Sequence, residues 1–179
     1  SGFKYTFDLG IKAIEFDVLI SKDNIPVLYH DYTLNTNMVK DKNGNWIDNF
    51  DLKIMDLTYD QISNYSIESL KPGSGYSDRF KNQKSVEGAK IPKLIDLFKL
   101  ANKENYKDVF LNLEVKSNPN LKDVTPEPKE MVTTILKDIK DYNAYEAKLN
   151  ILINKTNDKD FFSFKVSIGE KLENLKTKL

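Results

Sequence analysis

Ala13-Ile14-Glu15-Phe16-Asp17-Val18-Leu19-Ile20 is the stretch that decides the fold. It is apolar and carries β-branched residues, which predicts a strand inside a core, yet two acids interrupt it. Glu15 and Asp17 stand two residues apart, so in a strand both side chains leave the same face. A buried, unpaired charge costs several kcal/mol, on the order of a domain's whole stability. Two carboxylates on one buried face repel each other unless a cation lies between them, and hard oxygen donors suit Mg²⁺ or Ca²⁺. The competing reading is that each acid reaches solvent from near a strand end.

Outward from this strand the chain punctuates itself clearly. Upstream, Ser1 to Leu9 reads as the tail of a helix with Phe3, Phe7 and Leu9 on roughly one face. Gly10 suits the left-handed position that ends it. No strand and no initiator Met precede this helix, so the N-terminus of the protein is expected upstream. Downstream, Ser21-Lys22-Asp23-Asn24 is turn chemistry, and Ile25 to His30 returns as a second extended segment with Pro26 near its start, where a missing N–H is tolerable. Asp41-Lys42-Asn43-Gly44-Asn45 is another turn. Residues 46–90 are irregular apart from a short helix capped by Thr58 with Gln61 three residues on, and are expected to be an insertion over the strand ends. Lys71 to Tyr76 is expected to be loop.

Periodicity resumes at Pro92 to Asn102, where Leu94, Ile95, Leu97, Phe98 and Ala101 make one helical stripe. A strand is predicted over Asp108 to Val115, and a helix over Pro126 to Asp141 with Thr125 as its cap. Strand signals follow at Leu149 to Ile153 and at Asp160 to Ser167, and an amphipathic helix at Glu170 to Leu179. This alternation predicts a parallel sheet with crossover helices in one domain. A complete eight-stranded α/β barrel needs about 250 residues. The 179 residues here hold about half of one, with strand edges open at either side.

Composition narrows the partners. Lys plus Arg and Asp plus Glu both number 27, so no global field points to nucleic acid or an acidic membrane surface. No cysteine is present, which excludes disulfides, thiolate metal sites and cysteine nucleophiles. No apolar run approaches the roughly 18 residues that span a bilayer.

Two further sites carry chemistry. His30, the single histidine, ends an apolar strand and is followed by Asp31. An imidazole is well matched to proton transfer at neutral pH, although a lone histidine is more often an ordinary surface or core residue. In Phe110-Leu111-Asn112-Leu113-Glu114-Val115-Lys116, Glu114 and Lys116 repeat the two-apart geometry on another strand. They could form a plain salt bridge. Alternatively, Glu114 completes a metal shell while Lys116 meets an anionic oxygen, which together with His30 suits displacement at a phosphate ester.

Taken in order, these motifs resemble the glycerophosphodiester phosphodiesterase family. The residues that carry the resemblance are Gly10-x-x-Ala13-Ile14-Glu15-x-Asp17-Val18, Ser21-Lys22-Asp23-x-x-Pro26-Val27-x-x-His30-Asp31, Asp56-Leu57-Thr58, Ile91-Pro92-x-Leu94 and Leu113-Glu114-x-Lys116. The likeness runs from about Phe3 to Ile139. Tyr76 to Phe80, before the Ile-Pro motif, looks like the longer insertion of bacterial members, and residues 154–179 match poorly. The resemblance implies a TIM-type barrel that hydrolyses glycerophosphodiesters to glycerol 3-phosphate and an alcohol with a divalent cation, commonly Ca²⁺ or Mg²⁺. It implies that Glu15, Asp17 and Glu114 hold the metal, that His30 is a general acid or base, and that Lys116 contacts the phosphate. The family uses two histidines, the other in a His-Arg-Gly motif on the first strand, followed by Pro-Glu-Asn-Thr; both motifs would precede Ser1. Alternatives are a barrel that cleaves choline phospholipids like sphingomyelinase D, and a non-catalytic remnant that binds glycerophosphate or a protein.

Overall fold

The computed structural model describes residues 2–106, 108–118, 121 and 123–141, and the backbone of 148–154 and 161–166. Its framework is a five-stranded sheet in the order β2-β1-β3-β4-β5, formed by Pro26–Leu28, Ala13–Ile20, Phe110–Val115, Lys148–Asn154 and Phe161–Val166. The three central strands are parallel, Asp17 standing opposite Glu114 and Glu114 opposite Leu152. Both edge strands are antiparallel to their neighbours. The cause is connection length. A parallel crossover needs a dozen residues or more, and the links before β2 and β5 are too short for one.

Helix α1 (Gly2–Asp8) ends as expected at Gly10, whose φ of 80° is open to glycine at little cost. Phe7 is buried and Phe3 stacks edge-on against Phe16, but Leu9 lies beyond the last helical turn and is exposed, contrary to the predicted face. The turn at Ser21 to Asn24 brings β2 back along β1. The outer edge of β2 is covered where Leu28 donates its N–H to the Pro92 carbonyl and Val27 pairs with Lys93.

Two cores form, one on each side of β1, with Phe16, Val18 and Ile20 in the first and Leu19 in the second. On one side Phe16, Val18, Leu111, Leu113 and Val115 pack against Leu94, Leu97 and Phe98 of α4 (Leu94–Ala101) and Met131, Ile135 and Ile139 of α5 (Pro128–Asp141). Every residue of the predicted α4 stripe is buried, and full burial of one such side chain contributes about 1.5–3 kcal/mol. The second core gathers Leu19, Val27, Tyr29, Leu34, Val39, Ile47, Ile54, Ile62 and Ile91. Residues 46–90 supply three of these, and their local order rests on α2 (Tyr59–Ser63), whose Thr58–Gln61 capping box forms as predicted.

Two helix boundaries differ from expectation. Gly75–Arg79 is a short helix, α3, with Ser74 accepting the Ser77 N–H, where Lys71 to Tyr76 reads as loop. Helix α5 opens at Pro128, and Thr125 is buried upstream of it, its hydroxyl accepting the Asn118 N–H. Proline suits the first helical position because its missing N–H is unpaired there anyway; Pro128 takes that place rather than Pro126. The predicted helix at Glu170 to Leu179 lies outside the described residues. Among the described residues no helix is long and apolar enough to cross a membrane.

Candidate active site

The face of β1 and β3 turned away from α4 and α5 carries the polar residues of both strands. Strand alternation puts Glu15 and Asp17 there from β1 and Asn112 and Glu114 from β3, and the parallel register sets Asp17 beside Glu114 and Glu15 beside Asn112. Lys116 follows the last residue of β3. Its N–H donates to the Val18 carbonyl at 3.0 Å, which extends the pairing one step and keeps Lys116 on the same face.

Glu15, Asp17 and Glu114 each offer a carboxylate oxygen, and these oxygens lie within 4.8 Å of one another. Lys116 Nζ is 3.0 Å from Asp17 Oδ1 and 3.3 Å from Glu114 Oε1. Burial disfavours the Lys116 ammonium, but its bonds and attraction to Asp17 and Glu114 outweigh that and raise its pKa above the ordinary lysine value. Burial also pushes the Glu15 carboxyl up, with repulsion from Asp17 and Glu114 adding to it while Lys116 and His30 pull it back. The site is more open than the strand pattern suggests: Glu15 is exposed, and Asp17 and Glu114 are half-buried. The helices seal only the other face.

His30 lies just past β2, close enough for its charge to act on Glu15. Its Nδ1 is 2.7 Å from Asp31 Oδ1. The other Asp31 oxygen accepts from Asn35 Nδ2 at 2.7 Å. Asn35 in turn donates its backbone N–H to the hydroxyl of buried Tyr29. All five residues singled out by sequence are thus present on one side of the sheet or its adjoining loop. Sequence reasoning missed Asn35 and Tyr29. The available signal was Asn35-Thr36-Asn37 directly after His30-Asp31, since Asn side chains favour local turns by accepting a backbone N–H two residues on, as Asn35 does from Asn37.

The chain is similar throughout to one family: the glycerophosphoryl diester phosphodiesterase family is matched over residues 1–179. A glycerophosphodiester phosphodiesterase of Caldanaerobacter subterraneus is 30% identical over 146 residues, which is 82% of this chain and 48% of that protein. Human glycerophosphocholine phosphodiesterase is 40% identical over 53 residues, 30% of this chain and 8% of that protein. Among solved structures, one assigned as a glycerophosphoryl diester phosphodiesterase of Silicibacter pomeroyi superposes with a TM-score of 0.73 at 28% identity, covering 85% of this chain and 50% of that one. A phosphodiesterase of Oleispira antarctica, solved with its product sn-glycerol-3-phosphate, shares the fold with a TM-score of 0.57 at 21% identity, covering 84% of this chain and 49% of that one. The chain therefore spans about half the length of the family's barrel structures, and half or less of the curated relatives.

Proposed function

Because this chain belongs to the glycerophosphoryl diester phosphodiesterase family, we propose that it forms part of an enzyme that hydrolyses glycerophosphodiesters to glycerol 3-phosphate and an alcohol with a divalent cation, Ca²⁺ or Mg²⁺. Residues 1–179 are taken as one partial domain with an insertion at 46–90. The observation that carries the reading is the convergence of Glu15, Asp17 and Glu114 within 4.8 Å. The donor set fits such a cation: three carboxylates against one ammonium, Lys116, leave two formal negative charges, and all the donors are hard oxygens.

Glu15, Asp17 and Glu114 would hold the cation, whose chemistry is to offset charge on the phosphate and polarise it toward attack. The chain's own side chains would do the rest. Lys116, fixed between Asp17 and Glu114, would present its remaining N–H donor to a phosphate oxygen. His30, with Nδ1 turned to Asp31, would use Nε2 to take the proton of the attacking hydroxyl or to give one to the departing alcohol oxygen as its P–O bond breaks. Residues 1–179 hold one histidine, so the pair the resemblance implies needs a second from chain outside them.

The test uses the full-length protein and glycerophosphocholine, the substrate named for the human relative. Glycerol 3-phosphate should accumulate only with Ca²⁺ or Mg²⁺ present, and Glu114→Gln should lower its rate by about 10²-fold or more, the scale of removing one charge-stabilising group. Cleavage of sphingomyelin in place of glycerophosphocholine, or full activity in chelator, would refute the reading.

A further inference from the structure

Asn35 is held at every polar group it has. Its side-chain oxygen accepts the Asn37 N–H at 2.9 Å, its backbone N–H donates to Tyr29 Oη at 2.9 Å, and its carbonyl accepts from Met38 and Val39. Tyr29 is anchored in the second core. With the amide oxygen committed to Asn37, the Asn35 NH₂ must face Asp31, to whose Oδ2 it donates at 2.7 Å. That leaves Asp31 Oδ1 for His30 Nδ1 at 2.7 Å. A carboxylate only accepts, so the neutral ring carries its proton on Nδ1 and keeps the lone pair on Nε2. The imidazole is otherwise mostly in solvent, its side chain 69% exposed, where an untethered ring favours the opposite, Nε2–H form.

We propose that Asn35 is a positioning residue that sets the tautomer of His30, acting through Asp31. The second core thereby dictates which ring nitrogen is free, by way of Tyr29, Asn35 and Asp31. The importance of that nitrogen for hydrolysis rests on the function proposed above, but the tautomer itself does not.

The experiment is ¹⁵N NMR of the full-length protein above the imidazole pKa, with the His30 signals assigned as those missing in His30→Gln. The wild type should show protonated Nδ1 and free Nε2. Asn35→Ala should give a mixture of tautomers, and turnover of glycerophosphocholine should fall about 10- to 100-fold at nearly unchanged KM, the usual scale for losing a group that orients a catalytic one. Asp31→Asn keeps the shape and inverts the outcome. Asn35 still donates, so the new amide turns its oxygen to Asn35 and its NH₂ to His30, which must then carry its proton on Nε2. If Asn35→Ala fails to fold, Asp31→Asn decides alone. A folded Asn35→Ala protein with the wild-type tautomer, or Asp31→Asn retaining Nδ1–H, overturns the proposal. Tautomers that shift as described in a protein inert toward glycerophosphodiesters would sink the functional reading and leave this one standing.

Discussion

The two faces of β1 and β3 are built from alternate residues of the same dozen or so positions, and they have opposite surroundings. Phe16, Val18, Leu111, Leu113 and Val115 on one face are almost wholly buried under α4 and α5. Glu15, Asp17, Asn112 and Glu114 on the other range from half-buried to exposed. A two-residue period lets one strand bury apolar side chains on one side and present polar ones on the other. Changes on the first face should therefore alter stability, and changes on the second should alter activity.

The largest effect expected lies beside the polar face. His30→Ala in the full-length protein should lower turnover of glycerophosphocholine by about 10²- to 10⁴-fold, the range for a positioned proton-transfer group, with its melting temperature little changed. A poor leaving group such as choline is needed, because an activated aryl ester leaves without protonation. The contrast breaks if this substitution unfolds the protein instead.

Leu113→Ala probes the other face, one residue from Glu114. Leu113 is fully buried, so its truncation should cost about 2–5 kcal/mol in denaturant titrations, while KM for the substrate in the folded fraction stays near wild type. A cost below about 1 kcal/mol would mean that this face is not the tightly packed one.

Glu15→Gln sharpens the comparison with a smaller effect. In the metal-free protein the Glu15 carboxyl binds its proton more tightly folded than unfolded. Folding is thus favoured below the ordinary glutamate value of 4.5, and that advantage is lost as pH rises through the raised folded pKa. Removing the charge should stabilise the metal-free protein at pH 7 by about 0.2–1 kcal/mol, given how far solvent screens an exposed group. The difference from wild type should vanish near pH 4. A destabilised mutant at pH 7 would contradict the repulsion inferred among the three carboxylates.

Much of this contrast is legible in the sequence, because it depends on spacing. The two-apart pairs in β1 and β3, the α4 stripe and the Thr58 capping box all follow from local periodicity, and each forms. What depends on partners distant in sequence does not show. Whether Glu15 is covered depends on what else packs over that face. The start of α5 hung on whether Thr125 would cap the helix or turn inward to Asn118, a contact made by tertiary placement. The Tyr29–Asn35–Asp31 chain needs the second core to hold Tyr29 in place, and nothing in the spacing of three polar residues announces that.

Cation binding by the polar face would run through Glu15, Asp17 and Glu114. It is tested most directly by thermal melts of full-length wild type and Glu15→Gln at pH 7, with chelator and then with Ca²⁺ or Mg²⁺. The wild type should gain stability with metal, about 2.7 kcal/mol at a concentration one hundred times the dissociation constant, and the mutant should gain much less. Equal gains in both proteins, or none in the wild type, would contradict the account.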